Sequence, residues 1–141
     1  MKRIRSEKGA ALLEAAVTVP LILLISVGIF EFGRAYQTKQ VLVNAAREGA
    51  RIAVIEGTTD AEVRARVNKY LKNGGLKELV EGDIPIDRTV ALTASSTGTN
   101  VEIKYPFEFI VLNPIVRLVV AGDETTGAPM TMRAATLMRN E

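Results

Sequence analysis

Residues 15–30 read AAVTVPLILLISVGIF, sixteen positions without a charge. No other feature restricts the fold as strongly. As a helix the run spans about 24 Å at roughly 1.5 Å per residue. A bilayer core is about 30 Å thick and takes about 20 residues. Residues 10–13 and 32–33 supply the missing length and set Glu14 and Glu31 near the two interfaces. Three readings compete. A core helix apolar on every face needs more protein around it than 141 residues provide. A cleaved secretory signal suits the basic start, but SVGIFEFGRAYQ lacks a small-x-small cleavage site. A retained transmembrane segment over residues 10–33 fits best. It makes the lipid bilayer the first partner and the chain a single-pass membrane protein. The basic leader stays cytoplasmic and residues 34–141 lie on the far side. The charge bias is small, since Arg34, Lys39 and Arg47 follow closely.

Two residues are unusual for a plain anchor. Glu14 lies a turn inside the apolar segment, where acids are functional candidates by default; the plainer reading has it snorkel to the interface. Pro20 removes one backbone hydrogen bond and marks a kink or a local melt.

The order of features at the start is basic leader, Gly9, four small or apolar residues, Glu14, then the hydrophobic stretch. This resembles the class III signal of type IV pilins and pseudopilins, in which a membrane peptidase cuts after the glycine. The resemblance implies processing between Gly9 and Ala10 by a prepilin peptidase. The new α-ammonium would be neutralised by Glu14, one turn away or on a neighbouring subunit. Such a pairing has more leverage in a low-dielectric bundle than in water. The leader carries four of the 18 basic residues and one of the 16 acids, which leaves 14 and 15 on residues 10–141. The basic character therefore belongs to the leader, and residues 10–141 carry a net side-chain charge of −1.

The longer stretch, residues 9–54, is similar to the TadE-like family of the tight-adherence (Tad/Flp) pilus apparatus. Gly9, Glu14, Pro20, the GIFEFG exit at 28–33 and AAREGAR at 45–51 carry the resemblance. The family comprises minor pilins or pseudopilins. It implies residence in a bacterial inner membrane, possible incorporation in a pilus, and a Tad-type prepilin peptidase and other pilins as partners. Flp major pilins are much shorter and carry Tyr after the glutamate; here Ala15 follows Glu14. That departure argues against the main filament subunit.

The helix continues past the membrane. Phe32, Ala35, Leu42, Ala45, Ala46, Gly49, Ala50 and Ala53 recur mostly at three- and four-residue intervals. This predicts a helix over about 34–55. Ala45, Ala46, Gly49, Ala50 and Ala53 form a small-residue packing stripe that lets a neighbour approach. Arg47, Glu48 and Arg51 read as a solvated face with a Glu48–Arg51 pair. After the break at Glu56-Gly57-Thr58, Thr59-Asp-Ala-Glu62 is a capping box. It opens a helix over about 60–72, with Val63, Val67, Tyr70 and Leu71 inward and Asn73-Gly74-Gly75 as its stop.

Later the period changes to two. Strands are predicted over about 89–94, 100–109 and 130–138. Val90, Leu92 and Ala94 share one face of the first. Val101, Ile103, Tyr105 and Phe107 share one face of the second, with Pro106 at an edge or bend. The third alternates through Met130, Met132, Ala134, Thr136 and Met138, methionines that fill a core rather than bind metal. Residues 112–120 stay open: Pro114 starts a short helix, or the later part is a strand. Residues 122–129 read as a loop. The sum is an α+β fold, pilin-like by analogy.

Catalysis is not expected. The chain has no His and no Cys, which removes the commonest general base and thiol nucleophile. Asp83 and Asp87 alone make a weak cation site, and no phosphate loop occurs. No cofactor, metal, nucleic acid or small-molecule substrate is expected. The expected role is assembly or initiation of a Tad/Flp pilus as a minor pilin. The alternative is an unprocessed, permanently anchored adaptor or adhesin.

Overall fold

The computed structural model describes residues 3–93, 96–119 and 128–140. Its first element, α1, is a 51-residue helix over Arg3–Ala53. It passes through Pro20 without melting. Proline costs one backbone bond, which a membrane helix tolerates. Ser26 answers its own polarity by donating from Oγ to the Ile22 carbonyl at 2.8 Å.

Two compact units divide the chain: Met1–Arg34 with Phe109–Gly127, and Ala35–Glu108 with Ala128–Glu141. In the first unit, α1 carries the apolar run. The segment after residue 109 forms a second helix of that unit, numbered α3 below.

The second unit is an antiparallel sheet with helices. α2 (Asp60–Asn73) starts at Thr59, whose extended backbone (φ −84°, ψ 154°) and side chain make a complete capping box. The Glu62 amide donates to Thr59 Oγ1 at 3.3 Å and the Thr59 amide donates to Glu62 Oε2 at 2.8 Å. Gly74 closes the helix and Gly75 takes φ +76°, a value suited to glycine. Strands β1 (Ile86–Thr93), β2 (Ser96–Phe107) and β3 (Met130–Arg139) pair antiparallel in the order β1-β2-β3. Helix α3 covers Leu112–Val119, with Pro114 in its first turn, where no intrahelical N–H partner is needed. This resolves the open segment as helix.

The core of the second unit follows the two periods. Val101, Ile103, Tyr105 and Phe107 of β2 are buried with Met132 and Ala134 of β3. Leu42, Ala45, Ala46 and Ala50 of α1 and Val63, Val67 and Leu71 of α2 are buried with them. The α+β reading holds: a long apolar helix, a second helix and a three-stranded antiparallel sheet.

Several boundaries differ from the expected ones. α1 ends at Ala53, not Ile55, because the chain turns through Gly57 at φ +82°. Tyr70 is 37% exposed, off the inner face of α2 that Val63, Val67 and Leu71 define. β1 begins three residues early, at Ile86. A register shift between Asp87 and Val90, where Asp87 Oδ1 accepts from the Thr89 amide at 2.9 Å, hides its start. Leu92 is exposed, and Ala94 lies outside the described residues. β2 starts at Ser96 rather than Asn100. Its Ser/Thr/Gly composition suggests a loop, but Thr99 is buried and donates to Asn140 Oδ1 at 2.7 Å. β2 also ends at Phe107, not Phe109. Pro106 pairs with Thr131 of β3 beyond the reach of β1, so it occupies an edge position. Met130 is exposed at the start of β3, while Met132 and Ala134 point inward. Most of the expected loop at 122–129 lies outside the described residues.

Candidate functional site

The N-terminal part of α1 carries the residues singled out from sequence. Gly9 is half-buried, and Ala10, Glu14 and Pro20 are exposed. All four lie within continuous helix. Ala10 and Glu14, four residues apart, therefore share a helical face one turn apart. Along the same run the apolar side chains stand open: Leu12, Leu13 and Val17 are each 72% exposed and Ile29 is 71% exposed. Exposing a large aliphatic side chain costs about 1.5–3 kcal/mol. A run of such residues left in water would offset a whole domain's stability of about 5–15 kcal/mol. The surface must be covered by lipid or by other helices.

At the far end of this run stands Glu31, which the sequence marks only as the end of the uncharged stretch. Its side chain is fully buried. Its Oε1 accepts from the Val111 amide at 2.5 Å, and its Oε2 lies 3.4 Å from Arg34 Nη1. Beside it, the Phe32 and Phe109 rings meet edge to face, 6.4 Å apart at 69°. Glu31 thus ties the start of α3 to the end of the apolar run. The signal available in the sequence was a lone acid set among aromatics in GIFEFG.

The small-residue stripe lies in the second unit. Ala45, Ala46 and Ala50 are fully buried, Ala53 is 2% exposed, and Gly49 is buried. A Cβ on Gly49 would lie 2.6 Å from Val67 Cγ2 and 3.2 Å from Val101 Cγ1. The stripe is spent on the chain's own α2 and sheet.

Beside it, Glu48 receives two arginines. Arg51 donates from Nε and Nη2 at 2.9 and 2.8 Å, and Arg66 of α2 donates from Nε and Nη2 at 2.9 and 2.7 Å. Hydrogen bonds from Arg51, then from Arg66, hold the Glu48 carboxyl down at about 2 against the opposing effect of burial. The expected Glu48–Arg51 pair is present; Arg66 as its second partner was not legible. Arg88 was also missed. Its guanidinium donates to Asp60 Oδ1 at 2.8 Å, to the Ala53 carbonyl at 2.6 Å and to the Thr58 carbonyl at 2.8 Å. It joins the end of α1 to the start of α2. These clusters serve architecture: every partner named is a structural group of the same unit.

The fold and its exposed helix define a class: an α+β protein with, among the described residues, one helix long and apolar enough to cross a membrane, of mean hydropathy 2.3 over its most apolar window. Within that class, a family model described as TadE-like protein matches residues 9–51. The match covers under a third of the chain, and over that stretch the chain is similar to the TadE-like family. The matched stretch holds Gly9, Glu14, Pro20, Glu31 and most of the buried stripe. No curated protein matches the chain, and no solved structure does.

Proposed function

We propose that this protein is a minor pilin or pseudopilin that takes part in assembly or initiation of a Tad/Flp pilus. The observation that carries the reading is the apolar half of α1: its most apolar window is not buried among the described residues, and it opens with Gly9, Ala10 and Glu14 in helical register. In this reading α1 holds the subunit in the inner membrane, N-terminus cytoplasmic, and the second unit is periplasmic. A Tad-type prepilin peptidase removes residues 1–9. The freed α-ammonium of Ala10 is neutralised by Glu14 of the same chain or of its neighbour in the growing filament. During assembly the apolar face exchanges lipid for the helices of other pilins. The role is structural rather than catalytic.

The test is co-expression with the cognate peptidase, read by intact mass and N-terminal sequencing. A mature chain beginning at Ala10, and its loss in Gly9→Val together with loss of piliation, is the expected result. A chain that still begins at Met1, with piliation unaffected by Gly9→Val, refutes the reading and leaves an unprocessed adaptor.

A further inference from the structure

The structure gives residues 109–119 a position that their sequence explains. They belong to the same compact unit as the apolar run of α1. They are fixed to α1 at Glu31 and Phe32, directly beyond the uncharged run 15–30, by the Val111 amide and the Phe109 ring. The segment reads FIVLNPIVRLV, with Arg117 as its one charge. Ile110 is 60% exposed, Ile115 41% and Val116 40%. On α1 the neighbouring Phe30 and Phe32 are exposed by 60% and 67%. Apolar patches of this kind on a soluble surface mark a contact.

We propose that residues 109–119 are a second membrane contact, with α3 lying in the headgroup–acyl boundary where α1 leaves the bilayer. The inference rests on the reading of α1 as membrane-spanning and adds a lipid-facing element to it. The occupant is lipid because the patch continues the apolar surface of α1 and is fastened to it at the interface. An eight-residue helix is about 12 Å long, too short to cross the roughly 30 Å core, so it lies in the plane. Glu31 gains from the arrangement. A carboxylate at the edge of hydrocarbon is costly unless paired, and here it holds Arg34 and a backbone N–H. The segment thereby sets the depth of α1 as well as anchoring its own apolar side chains.

The chain has no cysteine, so single thiols report single positions. Ile115→Cys, Val116→Cys, Ile29→Cys in the apolar run and Thr131→Cys on exposed β3 are placed in the full chain. Each is reconstituted in phosphatidylethanolamine–phosphatidylglycerol vesicles. Reaction with a water-soluble maleimide at 115 and 116 is expected to be at least about tenfold slower than at 131, because the reactive thiolate is disfavoured in a low dielectric. A fluorophore attached there in detergent before reconstitution is expected to be quenched by shallow nitroxide lipids. Slow labelling at 29 with solvent-like labelling at 115 and 116 overturns the inference and leaves the anchor intact. Solvent-like labelling at 29 overturns both. Protection at 115 and 116 without lipid quenching means protein covers the patch, and also overturns it. Adding Glu31→Ala is expected to restore fast labelling at 115. Glu31→Gln, which keeps an acceptor for the Val111 amide, is expected to preserve protection; equal behaviour of the two removes Glu31 from the argument.

Discussion

Substituting Gly49 by Ala tests how tightly α1 is built into the second unit. In an open helix this change stabilises by about 1 kcal/mol, since glycine is the poorer helix former. Here the added methyl meets Val67 Cγ2 at 2.6 Å and Val101 Cγ1 at 3.2 Å. Both valines are fully buried, and a β-branched side chain on a helix has one strongly preferred rotamer, so Val67 has little room to turn. Forcing a methyl into a packed core costs about 1–3 kcal/mol. The clash outweighs the propensity gain, for a net loss of about 1 kcal/mol. Pulse proteolysis of the full chain in detergent over a urea series reads this directly. With a urea slope of about 1–1.5 kcal/mol/M for a unit of this size, the midpoint should fall by somewhat under 1 M. Val67→Ala alone should cost about 2 kcal/mol. Combined with Gly49→Ala it should cost less than the two together, by about 1 kcal/mol, as one methyl fills space the other vacated. A midpoint for Gly49→Ala at or above that of the natural chain refutes the close approach, and strictly additive losses refute the contact with Val67.

Two further expectations concern the charged clusters. Glu48 has a folded pKa near 2 against an ordinary 4.5, so its contribution is complete above 4.5 and is lost as pH falls from there toward 2. Unscreened, the shift would be worth about 3 kcal/mol; Arg51 and Arg66 are about half exposed, which reduces it to about 1 kcal/mol. Urea midpoints measured across that pH window should therefore fall more steeply for the natural chain than for Glu48→Gln, and parallel curves would show the pair to be inert. Arg88→Lys keeps the charge but not the planar fork that reaches Asp60, Ala53 and Thr58 at once. It should destabilise the second unit by about 2 kcal/mol in the same assay, and a loss indistinguishable from zero would refute the clasp.

What the sequence made legible was local. The uncharged run, the capping box at Thr59, the Glu48–Arg51 spacing and the alternation in β2 each depend on residues a few positions apart. The features it hid depend on distant partners, as Arg66 does in reaching Glu48 from 18 positions away. Glu31 takes the amide of Val111, 80 positions away, and Arg88 reaches carbonyls 30 and 35 positions before it as well as Asp60. The Ser/Thr/Gly start of β2 looks like a loop until β3 supplies the ladder from Gly98 to Phe107 and Asn140 takes the Thr99 hydroxyl. Tyr70 went astray for the opposite reason. Its period suits an inward face, but Val67 and Leu71 already fill it. At the N-terminus the resemblance carried more than geometry does: Gly9 and Glu14 lie in continuous helix, and the roles proposed for them depend on partners beyond the chain.

The uninterrupted run of α1 from Arg3 to Ala53 also governs how such a chain can be recombined. Its first part belongs to the first compact unit, where Glu31 and Phe32 hold Val111 and Phe109. Its last part is half of a core, with Leu42, Ala45, Ala46 and Ala50 fully buried. A graft that swaps this part must therefore join near Arg34, where the first compact unit's share of α1 ends, and keep Glu31 and Phe32 matched to Val111 and Phe109. A splice at residue 51, where the TadE-like match ends, would carry a foreign core stripe into a body shaped for this one. Modularity here stops in the middle of a helix.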